Sequence, residues 1–337
     1  MDNNSFDKIE FETVDCPFCR DEQELKNLFS APDRLNNLPG EFYVVKCQRC
    51  GLVFQNPRPK EKWIELYYPD NAGYFVPSDV RMGKLKKRID ELILINFFGY
   101  KNLGSKNLAI KILLFLVFVY FYRSKSIPRY VENGKLLEIG CSHGAKLEYL
   151  KELGWEVKGI EFNKKAAQYA KEKRGLNVLA GSFFEVDLSQ GHFDVVIMDM
   201  VLEHLYCPKE AIKKVFEILK PGGQLIFSIP YFNGLEYKLF KNFSYGLQLP
   251  AHIFFLNKEN VADLLKGMFI NTKIIFQHFD RDVVASAFYK HKEKGGFWLK
   301  IVSQNKIVRW VFIKPSVFIM SLFGLTSRIT VKTNKIR

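Results

Sequence analysis

Four cysteines near the start of the chain form two pairs of the Cys-x-x-Cys type. Cys16 pairs with Cys19 and Cys47 with Cys50, and 27 residues separate the pairs. A pair at this spacing places two thiolates on one tight turn, and two such turns complete the four-sulfur shell of a structural zinc ion. A disulfide pair and a redox pair are the alternatives, but a redox motif opens a helix and is not doubled. We predict a Zn²⁺ ion bound by all four cysteines, in a zinc ribbon over roughly residues 10–60.

A second candidate group lies in the run Asp199-Met-Val-Leu-Glu203-His204. Near pH 7 a histidine is the side chain best suited to take up a proton, so His204 is the first candidate for a catalytic base. Glu203 is its candidate partner, and His252 is a second candidate histidine for the same pocket. Two alternatives stay open: Glu203 and His204 only hold the loop and the following helix, or Asp199, Glu203 and His204 bind Mg²⁺ or Zn²⁺.

A glycine-containing turn at Gly140-Cys-Ser-His-Gly144 follows an apolar run and precedes a helical stretch. Glycines at a strand-to-helix turn let a ligand approach the backbone closely, although a plain tight turn explains them about as well. The next apolar run ends in Glu161, where a carboxylate can accept both hydroxyls of a ribose. The pattern indicates a nucleotide-type ligand at these two strand ends.

The elements that must position these residues alternate from residue 135 onward. Alternation of apolar runs with helical stretches is the pattern of a parallel sheet with crossover helices. The strands are expected at 135–140, 156–161, 177–182, 193–199 and 223–229, and the helices at 144–153, 163–174, 208–220 and 257–267. The fold class is therefore α/β.

Together these segments resemble a class I S-adenosylmethionine-dependent methyltransferase with an N-terminal zinc ribbon, as in sugar and ubiquinone-type methyltransferases. The matching segments are LLEIGCSHG (136–144), GIE (159–161), FDVVIMDMVLEHL (193–205), LKPGGQLIFSIP (219–230), CGLVFQNPRP (50–59) and Pro250-Ala-His252. The resemblance implies a Rossmann-like, mostly parallel seven-stranded sheet with an N-terminal zinc ribbon and a helical cap.

The resemblance also implies S-adenosylmethionine as cofactor, and NAD fits the same segments poorly. The implied cofactor-binding residues are Glu138, Gly140, Cys141, Gly144, Glu161, Ser182, Phe183 and Asp199. Among them, Glu138 and the two glycines would shape the pocket for the methionine end, and Ser182 with Phe183 would line the adenine. Ser142 stands where the family has a central glycine, and a left-handed backbone there would be strained.

Charge is unevenly distributed along the 337 residues. The net charge of +14 comprises −5 for residues 1–80, +8 for 81–126, +2 for 127–290 and +9 for 291–337. Both basic segments are rich in apolar residues, but neither has the about 20 consecutive apolar residues that a spanning helix needs. Either they lie in a membrane interface, or 107–122 and 297–325 pack on each other as a cap with a basic rim.

These observations predict three parts of the chain. We expect a zinc-ribbon domain at 1–70, a basic apolar helical linker or cap at 71–130, and a methyltransferase domain at 131–337 with an insert near 283–325 before a last strand at 327–333. The acidic, polar N-terminus does not resemble a secretory signal, so a cytoplasmic location is expected, with peripheral membrane contact as an option.

The resemblance favours a small-molecule acceptor, most of all a sugar or nucleotide sugar of surface polysaccharide pathways. An RNA methyltransferase is the first alternative, but the ribbon is acidic and the basic residues are interleaved with aliphatic ones. A methyltransferase of a lipid-linked acceptor at a membrane is the second. A binding module without catalysis is disfavoured by the full set of cofactor residues.

Overall fold

The computed structural model describes residues 8–20, 25–68 and 84–337. Their strands are β1 (Phe11–Glu12), β2 (Leu25–Pro32), β3 (Glu41–Cys47), β4 (Val53–Gln55), β5 (Arg58–Pro59), β6 (Lys135–Ile139), β7 (Glu156–Glu161), β8 (Val178–Ala180), β9 (Phe193–Asp199), β10 (Leu219–Pro230), β11 (Phe254–Phe255), β12 (Phe269–Phe276) and β13 (Arg328–Lys335). Within the expected zinc-ribbon domain at 1–70, residues 1–7, 21–24 and 69–70 lie outside the described residues. Within the expected linker at 71–130, residues 71–83 also lie outside them.

The α-helices are α1 (Lys84–Ile93), α2 (Leu108–Leu113), α3 (Phe115–Phe121), α4 (Ala145–Glu152), α5 (Lys164–Arg174), α6 (Pro208–Ile218), α7 (Leu235–Phe240), α8 (Lys258–Leu265), α9 (Arg281–Lys294), α10 (Phe297–Gln304), α11 (Lys306–Val308) and α12 (Lys314–Leu322). Short 3₁₀ helices include Glu61–Tyr67 and Leu202–His204, and π-helical turns occupy Leu94–Phe98 and Arg309–Ile313.

The central sheet has seven strands in the order β12-β13-β10-β9-β6-β7-β8. Strands β8, β7, β6, β9 and β10 are parallel to one another, whereas β13 is antiparallel to both β10 and β12. The expected mostly parallel seven-stranded sheet is confirmed. In such a sheet the carboxyl ends of the parallel strands meet at one edge, where ligands bind.

The sheet is buried on both faces because its middle strands are apolar throughout. In β9, the side chains of Val195, Val196, Ile197 and Met198 are all almost fully buried. Parallel strands covered on both faces read as continuous apolar runs rather than alternating ones. The strand then ends in Asp199, so the first polar side chain after the buried run emerges at the carboxyl edge.

The N-terminal sheet is completed by a strand from the central region. Its order is β11-β4-β3-β2, with β11 paired antiparallel to β4. The buried amide of Gln55 donates to the carbonyls of Pro250 (2.8 Å) and His252 (2.7 Å). The cysteine-bearing segment and the central region therefore share one sheet, and the loop carrying His252 is fixed by the former.

Two groups of helices flank the central sheet. Helices α2 and α3 precede β6, and α9 to α12 lie between β12 and β13. The two groups touch where Tyr120 packs on Phe318, with ring centroids 4.8 Å apart, and where Arg123 donates to the Ser321 hydroxyl at 3.2 Å. Among the described residues, the helices are too short or too polar for any of them to cross a bilayer.

Candidate functional site

The four cysteine sulfurs converge at one end of the N-terminal sheet. The Sγ atoms of Cys16 and Cys50 are 3.4 Å apart, those of Cys19 and Cys47 are 3.5 Å apart, and all four lie within 4.8 Å of one another. A disulfide would bring two sulfurs to about 2.05 Å, whereas four sulfurs at about 2.3 Å from a shared ion lie at nearly the observed separations. The donor set fits a tetrahedral zinc ion, and bound zinc stays a prediction.

The glycine turn lies directly beyond β6. Gly140 has a φ of +73°, and a Cβ atom there would come within 2.4 Å of the Val201 side chain, so only glycine fits. Ser142 has the left-handed backbone that its side chain makes costly, with a φ of +48°. Its N–H donates to Glu161 Oε2 at 2.7 Å, and Asn163 N–H donates to Oε1 at 2.8 Å. Glu161, the residue predicted to bind the ribose hydroxyls, thus also holds the glycine turn in place.

A lysine occupies the space between the ends of β6 and β9. The Lys146 ammonium donates to Glu138 Oε1 at 2.8 Å and also bonds the Asp199 carboxylate. Burial opposes charge at Asp199, but the lysine holds its pKa below the ordinary value. The pKa of Lys146 is raised by the two carboxylates despite its burial. The serine hydroxyls of Ser126 and Ser228 donate to the other Asp199 oxygen.

The predicted adenine residues lie just after β8. Phe183 is almost fully buried in the main core, with the Lys214 ammonium 5.1 Å from its ring centroid. The Ser182 hydroxyl accepts from Phe184 N–H at 3.3 Å. Cys141, in the glycine turn, is buried and forms no disulfide among the described residues. By contrast, the ring of Phe162, directly after Glu161, is 53% exposed at the same edge.

Glu203, His204 and His252 come together below the carboxyl edge, with one donor atom of each within 4.8 Å of the others. Glu203 is 1% exposed, and neither of its carboxylate oxygens has a hydrogen-bond partner in the described part of the chain. Its Oε1 is 3.9 Å from His252 Nε2, while His252 Nδ1 is 2.8 Å from the carbonyl of Gly246. Burial raises the pKa of Glu203 to about 8.

The grouping differs from the metal set considered from the sequence. Asp199 is bonded to Lys146 and two serines, so it does not join Glu203 and His204, and the fold brings His252 there instead. Burial lowers the pKa of His252 well below its ordinary value and that of His204 to about 4. Both imidazoles are therefore neutral at pH 7, and a neutral Glu203 is compatible with them without a metal ion.

His204 is contacted by a side chain that comes from the segment after the cysteines. The Tyr68 hydroxyl is 2.6 Å from His204 Nδ1, which is also 2.9 Å from the carbonyl of Ala251. When Nε2 carries the ring proton, the tyrosine hydroxyl donates to Nδ1; in the other tautomer, Nδ1–H donates to Ala251. The pair is a phenol and a neutral imidazole in direct contact, an arrangement through which a proton can pass.

Tyr68 and Lys146 have no role in the expectations from the sequence. Tyr68 is 136 positions from His204 and follows the last short helix of the N-terminal segment, so only the shared sheet brings them together. Lys146 lies in the first turn of α4, one helical position beyond Ala145. The sequence could have indicated Lys146 in one way: it is a lysine directly after the glycine turn, at the start of a helix that faces Glu138 on β6 and Asp199 on β9.

Comparison with known proteins gives consistent matches for the central region. The family described as "Methyltransferase domain" matches residues 119–268. A protein from Methanocaldococcus jannaschii is 26% identical over 167 residues, covering 48% of this chain and 79% of its own. The ubiquinone biosynthesis O-methyltransferase of Pseudomonas fluorescens (strain Pf0-1) is 33% identical over 100 residues, covering 28% of this chain and 43% of that protein.

A crystal structure of a SAM-dependent methyltransferase from Archaeoglobus fulgidus is 20% identical, with a TM-score of 0.41, and the match covers 68% of this chain and 95% of that one. Several curated relatives, including two ubiquinone biosynthesis enzymes, are matched over less than half of their own length. The central region therefore carries a methyltransferase domain: the family match covers residues 119–268, and the seven-stranded sheet, which also takes in β12 and β13, has the Rossmann-like class I fold of S-adenosylmethionine-dependent methyltransferases.

The site residues fit the cofactor of this class. Glu138 Oε2 is buried and has no hydrogen-bond partner among the described residues. Glu138 and Asp199 together present an acidic pair suited to the α-ammonium of a methionine, a place that the Lys146 ammonium takes here. Glu161 and the glycine turn, joined by the hydrogen bond from Ser142 N–H, lie at the neighbouring strand ends of the same edge. The roles of the individual residues remain predictions.

Proposed function

We propose that this protein transfers a methyl group from S-adenosylmethionine to a small-molecule acceptor, namely a sugar or nucleotide sugar of surface polysaccharide biosynthesis. The observation that carries the proposal is the contact of Tyr68 with His204. It places a proton-accepting pair, assembled from both parts of the chain, at the edge of the sheet that also bears Asp199 and the glycine turn.

The cofactor supplies an electrophilic methyl group on a sulfonium. In the proposed reaction the acceptor atom forms a bond to that methyl carbon as the carbon–sulfur bond breaks, and the acceptor loses one proton. The Tyr68 oxygen takes this proton while its own proton passes to His204 Nδ1, so an imidazolium forms. Burial lowers the pKa of His204 to about 4, so the ring is neutral at pH 7 and Nδ1 has a lone pair that can accept. The same shift makes the imidazole a weak base, so it holds the proton only briefly before passing it on.

The polar groups around this pair support a hydroxylated acceptor. The Tyr68 hydroxyl can both donate and accept. The Glu203 carboxyl, whose pKa burial raises to about 8, offers one donor and one acceptor within 4.8 Å of the histidine pair. Binding several hydroxyls of a sugar requires groups that can both donate and accept hydrogen bonds. The ribbon tail, CGLVFQNPRP at 50–59, resembles that of sugar methyltransferases, which favours the same acceptor class.

The test is a rate measurement with labelled S-adenosylmethionine and a panel of nucleotide sugars, free sugars and total RNA. We expect methylation of a nucleotide sugar or sugar by the intact chain. His204→Ala and Tyr68→Phe should each slow single-turnover transfer by about 10²–10⁴, because each interrupts the proton path. Cofactor affinity, measured by calorimetry, should stay within a few fold.

Tyr43→Phe serves as the matched control, because Tyr43 is a half-exposed tyrosine on β3 of the same sheet. It should leave the rate unchanged. Equal activity of His204→Ala and the unsubstituted protein would overturn the proton path. Labelling of RNA alone would overturn the acceptor class while leaving methyl transfer itself intact.

A further inference from the structure

The two flanking helix groups expose a large apolar surface. We call it the flank surface and define it as the exposed side chains of residues 108–121 (α2 and α3) and 297–325 (α10 to α12). Six large apolar side chains are exposed in the first segment, including Leu113 and Leu116, which are 78% and 77% exposed. Ten are exposed in the second, including Trp298 (74%) and Phe323 (75%). The two segments therefore do not cover each other as a closed cap.

Such a surface is unusual for a protein surrounded by water on all sides. Scattered exposed apolar side chains are ordinary, but a contiguous patch marks a binding surface. Trp310, Val311 and Phe312 are exposed in succession, and Leu108, Ile112 and Leu116 recur at four-residue spacing along α2 and α3. Residues four apart share one helix face, so this face is apolar along its length.

The charged side chains of the flank surface itself are all basic, and of these Arg309 is paired with Asp280 at 2.6 Å. No acidic residue occurs between Glu91 and Glu132 or after Glu293, whereas both stretches carry many lysines and arginines. The Lys314 ammonium lies 3.3 Å from the ring centroid of Trp310, so a cation and an aromatic ring are presented together. A second copy of this chain docked on the same face would bring two basic rims together, whereas an anionic partner complements them.

The helices of the flank surface are short. The longest continuous helical run, from α11 through the π-helical turn to α12 (residues 306–322), is about 26 Å long at about 1.5 Å per residue and carries Lys306, Arg309 and Lys314. The hydrocarbon core of a bilayer is about 30 Å thick, so these elements can only lie along it. Exposed tryptophans next to basic residues are typical of segments placed at the level of the lipid headgroups.

We propose that the flank surface binds the interface of an anionic phospholipid bilayer, with its apolar side chains among the acyl chains and its lysines at the headgroups. Both segments end at the carboxyl edge of the sheet: Ser126 bonds Asp199, and Leu235 N–H donates to Leu325 at 2.7 Å. Binding therefore sets the acceptor side of the domain against the membrane. A lipid-carried sugar is then the acceptor form that reaches it, an extension that rests on the proposed function.

Vesicle flotation tests the surface without cofactor or acceptor, so its result is independent of the methylation assay. The full chain is mixed at low salt with vesicles of phosphatidylcholine alone or with 30% phosphatidylglycerol. We expect flotation with the anionic vesicles and release in high salt, because screening weakens surface charge interactions. Lys300→Gln with Lys306→Gln should weaken partitioning by about thirty-fold, since each basic residue near an anionic surface contributes about 1 kcal/mol.

Matched variants distinguish binding through the flank surface from non-specific adsorption to vesicles. Trp298→Gln with Trp310→Gln should abolish flotation, whereas Tyr43→Gln with Ile270→Gln, on exposed positions of the two sheets, should not. Lys171→Gln with Lys173→Gln, on the exposed side of α5, is the control for charge. A chain that stays unbound with anionic vesicles at low salt overturns the proposal, as does a stable dimer by sedimentation that the tryptophan variant dissociates.

Discussion

Replacing Glu203 by glutamine tests whether its carboxyl is neutral in the folded protein. Burial raises its pKa to about 8, against an ordinary value of 4.5. Above pH 4.5 the unfolded chain releases a proton that the folded chain keeps, so the unfolded state binds fewer protons and stability falls as pH rises. The decline is about 1.4 kcal/mol per pH unit, reaches about 3 kcal/mol at pH 7 and levels off near 5 kcal/mol above pH 8. A glutamine side chain does not titrate in this range, so the Glu203→Gln protein lacks this decline in stability.

The assay is urea unfolding of both proteins between pH 5 and pH 9. The variant should become progressively more stable than the unsubstituted protein up to about pH 8, with any cost of placing the amide adding only a constant offset. The titrations of His204, His252 and Glu236 occur in both proteins and largely cancel in the difference. Glu210→Gln, which removes an exposed carboxyl on α6, should show no such trend. A difference that is independent of pH, or that favours the carboxylate as pH rises, would refute a neutral Glu203 and indicate a cation beside it.

Three further predictions concern the two binding sites. Cys47→Ser should lose the zinc complement, measured by metal analysis, and its S-adenosylmethionine affinity should change little; a full zinc content would contradict the four-cysteine site. Glu161→Ala should weaken S-adenosylmethionine at least tenfold by calorimetry, because charge-assisted hydrogen bonds contribute about 1.5–3 kcal/mol each, and unchanged affinity would count against the ribose role. It should also lower the melting temperature, since the carboxylate accepts two backbone N–H groups. Lys146→Met should leave Glu138 and Asp199 without their shared cation, so the cofactor-free variant should have a lower melting temperature. Added S-adenosylmethionine should then raise the melting temperature of the variant more than that of the unsubstituted protein. An equal rise in both would show that the lysine and the cofactor do not compete.

Local sequence patterns predicted the central sheet well because its strands depend on local burial. The runs at 135–140, 156–161 and 193–199 agree closely with β6, β7 and β9, since parallel strands buried on both faces need uninterrupted apolar residues. The pairing of β11 with β4 could not be predicted from local apolar patterns. Two residues, Phe254 and Phe255, carry no strand pattern of their own, and their partner lies some 200 positions earlier.

The sequence predicted several residues of the candidate site, but not which of them lie next to one another. Asp199, Glu203 and His204 are close in sequence, yet the end of β9 directs Asp199 towards Lys146, while the 3₁₀ turn places Glu203 and His204 beside His252. Spacing along a chain predicts neighbours only within one regular element, and this run crosses from a strand into a turn. Phe183 shows the same limit, because a family position for adenine does not reveal that the ring is packed into the core.

We infer that the N-terminal segment affects the proposed reaction by positioning residues of the candidate site. Its cysteines lie at one end of a sheet whose β4 pairs with β11, the Gln55 amide fixes the loop of His252, and the chain beyond β5 delivers Tyr68 to His204. Loss of the metal should therefore disturb the acceptor side of the site, whereas the cofactor side rests on β6, β7 and the glycine turn. A ribbon that only recruited a partner would need none of these contacts, including the two hydrogen bonds from the buried Gln55 amide to the loop of His252.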